Sequence, residues 1–109
     1  MATEITRAVV ARHLTELGAG NVDGVMADYA DDAIMVSNLG GLTKGADALR
    51  VIFSRTNGDM FASIEITAEH YDGEVGYIAW KTAQIPMGTD TFVVRDGKIV
   101  AQTVALFLG

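Results

Sequence analysis

The order of two kinds of periodic segment constrains the fold of this chain more than any other feature of its sequence. Apolar residues recur with helical spacing over residues 3–17, after Asn21 and over residues 45–56. From Met60 onward, apolar and polar residues alternate in segments joined by short turns, which is typical of strands. Helices followed by successive strands predict an α+β fold with helices on one face of an antiparallel sheet, because a doubly wound parallel sheet would alternate the two kinds of element. The predicted strands of this second half cover residues 60–71, 75–85, 89–94 and 98–108.

Polar residues mark the ends of the N-terminal elements. Thr3 is placed to cap the first helix, and Asn21 is placed to cap a second, short helix that reaches Tyr29. The acidic pair at positions 31 and 32 is expected to end that helix. A strand is predicted to follow over residues 33–38.

Length, charge and cysteine count narrow the class of protein. The 109 residues suffice for one domain, predicted to span residues 1–109. Eight basic against 14 acidic residues give a net charge of −6, which disfavours a nucleic-acid partner. The chain has no cysteine, no apolar stretch of about 20 residues and only two, widely separated histidines, so disulfides, a membrane span and a metal site are not expected. Charged residues interrupt any signal-peptide core, so the cytoplasm is the predicted location.

Both faces of the last strands are apolar. In the predicted strand 75–85, Ile78 and Trp80 lie on one face, and Tyr77 and Ala79 lie on the other. The last strand repeats the pattern, with Val104 and Leu106 opposing Ala101, Ala105 and Phe107. One face is expected to pack on the helices. A second subunit is predicted to cover the other face, because a large exposed apolar patch usually marks an interface.

The face that Asp90 shares with its neighbours depends on the turn at Asp96-Gly97. A three-residue loop would set Asp90 opposite Gln102 and put both on the face of Val104. A two-residue loop at this turn would place Gln102 on the opposite face from Asp90. The sequence leaves both registers open.

Asp90 is the candidate for acid–base chemistry. On strict alternation it shares a face with Phe92 and Val94, and a carboxyl among apolar neighbours has a raised pKa that suits an acid or a base. The alternative is a solvated carboxylate at a strand end, after Gly88. His13 is a second candidate, because histidine carries protons near neutral pH, although the sequence by itself favours a half-exposed histidine on a helix flank.

Two stretches of the chain resemble a known family. The run Tyr29-Ala-Asp-Asp-Ala33, followed by a strand and a helix opening at Gly45, and the ending Asp90-Thr-Phe-Val-Val-Arg-Asp-Gly-Lys-Ile99 resemble the nuclear transport factor 2-like superfamily. This superfamily includes the SnoaL-like polyketide cyclases and the ketosteroid isomerases. The resemblance covers nearly the whole chain and implies a cone-shaped, curved antiparallel sheet with three helices of the N-terminal half packed around a pocket.

The resemblance also implies roles for individual residues. The isomerases' oxyanion-hole tyrosine falls on His13, their supporting tyrosines fall on Tyr29 and Phe53, and their protonated oxyanion-hole aspartate falls on Asp90. Their catalytic base falls on Ser37, which cannot take up a proton near neutral pH. Steroid isomerisation of that type is therefore not expected.

The resulting functional prediction is a cofactor-independent acid–base enzyme of the cyclase, isomerase or dehydratase type acting on a hydrophobic carbonyl compound. Asp90 would be the acid or base, and His13, oriented by Tyr29, would polarise the carbonyl or carry the second proton. The alternative is a non-catalytic ligand-binding or structural module of the same fold, for which the missing base argues. The predicted substrate-binding residues are Ser37, Phe53, Ile78, Trp80, Phe92, Gln102, Val104 and Leu106.

Overall fold

The computed structural model describes residues 1–56 and 58–109, which form helices and one sheet. The helices are α1 (Ala2–Gly18), α2 (Val22–Met26), α3 (Ala46–Arg55) and α4 (Gly58–Ala62). The strands are β1 (Tyr29–Ser37), β2 (Gly41–Lys44), β3 (Glu65–Asp72), β4 (Val75–Lys81), β5 (Met87–Arg95) and β6 (Lys98–Phe107). None of the helices in the described ranges is long and apolar enough to cross a membrane.

The sheet has six strands in the order β2-β1-β6-β5-β4-β3, and its pairs are antiparallel except for β1 and β6. The predicted α+β class is confirmed, but the sheet is mixed rather than wholly antiparallel. The reason is the long connection between β1 and β6, which includes two helices and four strands and lets β6 return in the direction of β1.

The helices pack on one face of the sheet and bury its core. Helix α1 contacts β3, β4 and β5, while α3 contacts β1 and β2. The side chains of Val10, Leu49, Phe92 and Ile99 are fully buried between these layers. Alternation along β5 explains this, because Asp90, Phe92 and Val94 are buried while their neighbours are half-buried or exposed.

The second helix is shorter than predicted, and the strand after it is longer. Asn21 caps α2 as expected, accepting a hydrogen bond from the backbone N–H of Gly24. Tyr29, predicted at the end of that helix, is the first residue of β1 and pairs with Ile99 of β6. The acidic pair at positions 31 and 32 does not end a helix; it lies in β1, at an irregularity of the pairing that leaves both side chains exposed.

Three further boundaries differ from the sequence predictions. Residues 60–62 belong to α4 rather than to the start of a strand, and Phe61 of this helix packs edge-on against Trp80 with ring centroids 5.6 Å apart. Strand β4 ends at Lys81 rather than at position 85. Thr3 does not cap α1, since the cap is Met1, and the Thr3 hydroxyl instead accepts the N–H of Gly73 in the β3–β4 turn.

The β5–β6 hairpin combines a two-residue loop with a bulge. Arg95 pairs with Lys98 across Asp96 and Gly97, whose φ angles of 53° and 76° are typical of a type I′ turn. The register then shifts by one residue, because Val94 pairs with Ile99 but Val93 pairs with Ala101. Val100 is the extra residue.

This bulge decides the open question of the register. Gln102 pairs with Phe92, and Asp90 pairs with Val104, so the direct pairing of Asp90 with Gln102 that a three-residue loop would give does not occur. The bulge nevertheless returns Gln102 to the face of Asp90 and Val104, as the three-residue loop would have done. The loop has two residues, as in one of the alternatives, whereas Gln102 lies on the face that the three-residue alternative would give.

Candidate functional site

A cavity of about 160 Å³ lies between the helices and the sheet. The described residues of its walls are mostly apolar, and they contribute one carboxyl, one imidazole, one amide and two hydroxyls, besides the indole N–H of Trp80. The lining residues are His13, Leu14, Leu17, Met35, Ser37, Ile52, Phe53, Thr56, Phe61, Ile64, Trp80, Asp90, Gln102, Val104 and Leu106.

The sheet side of the cavity is organised around Asp90, which is 7% exposed. The indole Nε1–H of Trp80 donates to its Oδ1 at 3.0 Å, and the amide Nε2–H of Gln102 donates to its Oδ2 at 2.9 Å. The strands β4 and β6 flank β5, so each neighbour supplies one donor. Burial raises the pKa of Asp90 from 3.8 to about 6, and the two hydrogen bonds to its charged form oppose this rise.

Tyr29 extends the same set of hydrogen bonds. Its buried hydroxyl donates to the amide oxygen Oε1 of Gln102. The sequence prediction was that Tyr29 hydrogen-bonds and orients His13, whereas their contact is between ring edges, with centroids 5.8 Å apart. Tyr29 lies in a strand next to β6 rather than at a helix end, so its hydroxyl lies beside Gln102.

The helix side of the cavity presents His13, which is 1% exposed. Edge-on contacts surround its ring, with centroid distances of 5.8 Å to Tyr29, 6.0 Å to Phe53 and 5.3 Å to Phe92. Its Nδ1 is buried and has no hydrogen-bond partner among the described residues. Burial lowers the pKa of His13 to about 4, so the ring is neutral at pH 7. The alternative of a half-exposed histidine is wrong.

The remaining predicted site residues divide into two groups. Ser37, Phe53, Trp80, Val104 and Leu106 line the cavity. Ile78 and Phe92 are fully buried and do not line it, because they lie in the core beneath the cavity wall.

Ser37 stands at the end of β1. Its hydroxyl oxygen accepts the backbone N–H groups of Leu39 and Gly40 at 3.1 and 3.4 Å, which fixes the turn that follows. Ser37 therefore contributes a hydroxyl to the wall and no group that titrates near neutral pH.

Sequence reasoning missed seven lining residues. Two signals for them were present in the sequence. Ile52 lies beside Phe53 on the apolar side of the predicted third helix, and Phe61 lies in a short apolar segment that was assigned to a strand. The missed residues are Leu14, Leu17, Met35, Ile52, Thr56, Phe61 and Ile64.

Metal ligands are not grouped in the described part of the chain. No set of three or more histidine, cysteine, aspartate or glutamate side chains lies close enough there to hold an ion. The second histidine, His70, is exposed and stacks on Tyr77 with ring centroids 6.2 Å apart.

Residues 10–102 match the family described as the SnoaL-like domain. The chain belongs to this family. The match includes His13, Asp90 and Gln102, and thus both sides of the cavity. No curated protein matches this chain.

Solved structures with the same fold cover nearly the whole of this SnoaL-like chain. An NTF-2 like protein of unknown function from Burkholderia xenovorans LB400 is 24% identical, with 97% of this chain and 85% of that one covered at a TM-score of 0.84. A "putative ketosteroid isomerase" from Kribbella flavida DSM 17836 is 18% identical, with 100% and 82% covered at 0.82. An M. tuberculosis LEH-like epoxide hydrolase is also 18% identical, with 98% and 86% covered at 0.76. These likenesses establish the shared NTF2-like fold.

Proposed function

We propose that this SnoaL-like chain is a cofactor-independent acid–base enzyme that acts on a small hydrophobic compound carrying a carbonyl group. One observation carries the proposal. A buried carboxyl with a raised pKa and a buried neutral imidazole line the same apolar cavity. Paired groups of this kind, with pKa values moved in opposite directions by their surroundings, are typical of acid–base sites.

Asp90 acts as the base in this proposal. With a pKa of about 6 it is mostly ionised at pH 7, and the bonds from Trp80 and Gln102 leave further lone pairs on its oxygens. The carboxylate removes a proton from the carbon next to the carbonyl, the C–H electron pair becomes a C=C bond, and the π pair of the C=O bond moves to the oxygen to give an enolate. Where the substrate has a C=C bond next to that carbon, return of the proton to the far end of this bond moves the double bond into conjugation, completes an isomerisation and restores the carboxylate.

His13 stabilises the charge that develops on the carbonyl oxygen. A neutral imidazole carries one N–H, and this N–H donates to the oxygen as its negative charge grows. The low pKa of His13 keeps the ring neutral across the working range, so it acts as a hydrogen-bond donor and does not carry a second proton.

The cavity volume limits the substrate. About 160 Å³ is close to the roughly 150 Å³ cavity that holds benzene, so the buried part of the substrate is about one six-membered ring. A four-ring steroid exceeds this volume. Together with Ser37 at the position of the isomerases' base, the volume favours single-ring polyketide-like or terpenoid-like ketones.

Hydrogen exchange tests the chemistry without knowledge of the final product. Six-membered ring ketones are incubated with the protein in D₂O, and loss of the proton next to the carbonyl is followed by NMR. We expect exchange by the native chain and a loss of roughly 10²–10⁴-fold in Asp90→Asn, the range for removing a general base. Asp96→Asn is the matched control, because Asp96 is an exposed carboxyl in the β5–β6 loop. Equal exchange by the native chain and Asp90→Asn would contradict the mechanism.

A non-catalytic ligand-binding module is the second candidate. Both oxygens of Asp90 accept hydrogen bonds from neighbouring strands, which a purely structural carboxylate would also do. Saturable quenching of Trp80 emission by the ring ketones, with no exchange in D₂O, would favour this function.

We also propose that the outer face of the sheet forms a homodimer. Tyr77, Thr91, Thr103 and Val36 follow one another across β4, β5, β6 and β1, and this row carries no charge. Val36 is 44% exposed, and Phe107 of the same sheet is 52% exposed. An uncharged surface of this kind is typical of subunit interfaces. A monomer in light scattering at micromolar concentration would contradict this proposal.

A further inference from the structure

The amide of Gln102 forms hydrogen bonds to two buried groups, as an acceptor to one and as a donor to the other. Its Oε1 accepts from the Tyr29 hydroxyl, and its Nε2 donates to Oδ2 of Asp90. All three side chains are buried, so bulk water does not replace a lost hydrogen bond. The two ends of an amide are not equivalent, because the oxygen only accepts and the nitrogen only donates.

We propose that Tyr29 is a positioning residue that keeps Asp90 in its ionised form by fixing the direction of the Gln102 amide. This inference concerns the site of the proposed function, but it holds whether or not the site catalyses a reaction. A reversed amide would turn Oε1 toward Oδ2, and two oxygens face each other stably only when Asp90 carries a proton between them. The present direction therefore favours the carboxylate.

The Tyr29 hydroxyl selects this direction. In the described structure its proton is donated to Oε1 of Gln102. Reversal of the amide would present N–H groups to the phenol oxygen and would leave the phenol proton without that acceptor. Removal of the hydroxyl cancels this preference, so the amide becomes free to accept a proton held by Asp90.

Few other groups around the cavity affect the charge of Asp90. The titratable group from α1 is His13, which is neutral, and the one from β1 is Tyr29 itself. Strands β4 and β6 present Trp80 and Gln102, which do not titrate, and α3 and α4 line the cavity with apolar side chains. The described lining contains no lysine or arginine. Hydrogen-bond donors, rather than a counter-charge, thus favour the ionised form.

Trp80 provides a direct readout. It is the single tryptophan of the chain, and its Nε1–H donates to Oδ1 of Asp90. Protonation of Asp90 changes the charge next to the indole, so the emission of Trp80 plotted against pH has a transition at the pKa of Asp90. Asp90→Asn identifies the transition, because this variant lacks it. The carboxyl ¹³C shift of Asp90 is a second measurement of the same pKa.

The experiment compares Tyr29→Phe with Tyr71→Phe, in the native chain and in Gln102→Met. We expect Tyr29→Phe to raise the Asp90 midpoint by roughly 0.5–1 pH unit, a 3- to 10-fold change in the acid dissociation constant. Tyr71→Phe is the matched control and should leave the midpoint unchanged, since Tyr71 lies on β3 outside the cavity lining. Gln102→Met should itself raise the midpoint, because it removes a donor to the carboxylate.

The decisive comparison is the double variant. If Tyr29 acts through the amide, Tyr29→Phe adds no further shift in the Gln102→Met background. A shift of the same size in both backgrounds would overturn the inference, as would an unchanged midpoint in Tyr29→Phe alone. This experiment uses no substrate, so its result is independent of the hydrogen-exchange test. If Tyr29→Phe shifts the Asp90 midpoint through Gln102 but the native chain exchanges no substrate proton, this inference is supported and the proposed function fails.

Discussion

The buried polar groups on the two sides of the cavity differ in how they are hydrogen-bonded. On the sheet side, the carboxyl of Asp90 accepts one hydrogen bond from each neighbouring strand. On the helix side, the imidazole of His13 is packed among three aromatic rings, and its Nδ1 has no partner among the described residues.

This difference follows from the geometry of the two kinds of element. Adjacent strands bring side chains of the same face close together, so a buried strand residue finds polar neighbours across the ladder. A helix residue facing a sheet meets whatever side chains the other elements present, and His13 meets rings. The sheet side is thus organised before a ligand arrives, whereas the helix side retains hydrogen-bonding capacity for a ligand.

The largest expected effect is on the pH dependence of turnover. If Asp90 is the base, the rate should rise roughly tenfold per pH unit below pH 6 and level off above it, because the ionised fraction of one group follows this course. His13 should add no second limb between pH 5 and 8, since its pKa is about 4. Rates of D₂O exchange measured from pH 4.5 to 8 test this. A rate that falls as the pH rises through 6 would instead make Asp90 the acid.

The contributions of Asp90 and His13 to folding stability should depend on pH in opposite directions. The folded pKa of Asp90 is raised from 3.8 to about 6, so its contribution to stability is fully present below pH 3.8 and is lost as the pH rises through 6. The folded pKa of His13 is lowered from 6.5 to about 4, so its contribution is present above pH 6.5 and is lost as the pH falls through 4. Each shift of about two units corresponds to about 3 kcal/mol.

The contributions of Asp90 and His13 change with pH in opposite directions, so they nearly cancel in the stability of the native chain. Variants that lack one of the two groups should reveal the contribution of the other. Relative to the native chain, Asp90→Asn should lose stability as the pH falls from 6.5 to 4, and His13→Phe should gain it. Urea unfolding across this range measures both differences. Parallel stability curves for the native chain and both variants would show that neither group has a shifted pKa.

The sheet side can be disrupted without touching Asp90. The indole of Trp80 lies against Gly88, and a Cβ at position 88 would come within 2.4–2.7 Å of three of its ring atoms. Gly88→Ala should therefore displace the indole from Asp90 and destabilise the fold by about 1–3 kcal/mol, the usual cost of overpacking. Gly40→Ala is the matched control, because nothing lies within 4 Å of a Cβ there. Thermal unfolding compares the two, and equal melting temperatures would contradict the contact.

The smallest expected effect concerns Nδ1 of His13, which has no hydrogen-bond partner in the part of the chain that the structure describes. His13→Phe removes this buried polar atom and keeps an aromatic ring among the three others. At pH 7 we expect this variant to be more stable than the native chain by about 1 kcal/mol. Urea unfolding at that pH checks the sign. A loss of stability would show that Nδ1 has a partner in solution, such as an ordered water.

The parts of the site that lie on strands could be predicted from the sequence, because alternate residues of a strand lie on the same face of the sheet. Alternation placed Asp90 among apolar side chains, and Trp80 on an inward face. The environment of His13 could not be predicted in this way, because its ring is enclosed by residues from β1, α3 and β5. The short helix α4 was missed because a five-residue segment spans too few turns to show a helical period.

The sequence allowed two alternatives for the face on which Gln102 lies relative to Asp90. Loop chemistry indicated a tight turn at Asp96-Gly97, and nothing in the sequence marked Val100 as a bulge. The face of Gln102 depended on that single residue.

That dependence has a consequence for how this hairpin can change in related chains. Deleting the bulge residue Val100 while the two-residue turn is kept turns the amide of Gln102 to the outer face and separates it from the carboxyl of Asp90. A longer loop accompanied by deletion of the bulge is equally tolerated. Related sequences that retain the pair together with the two-residue turn should therefore also retain the extra residue of the bulge.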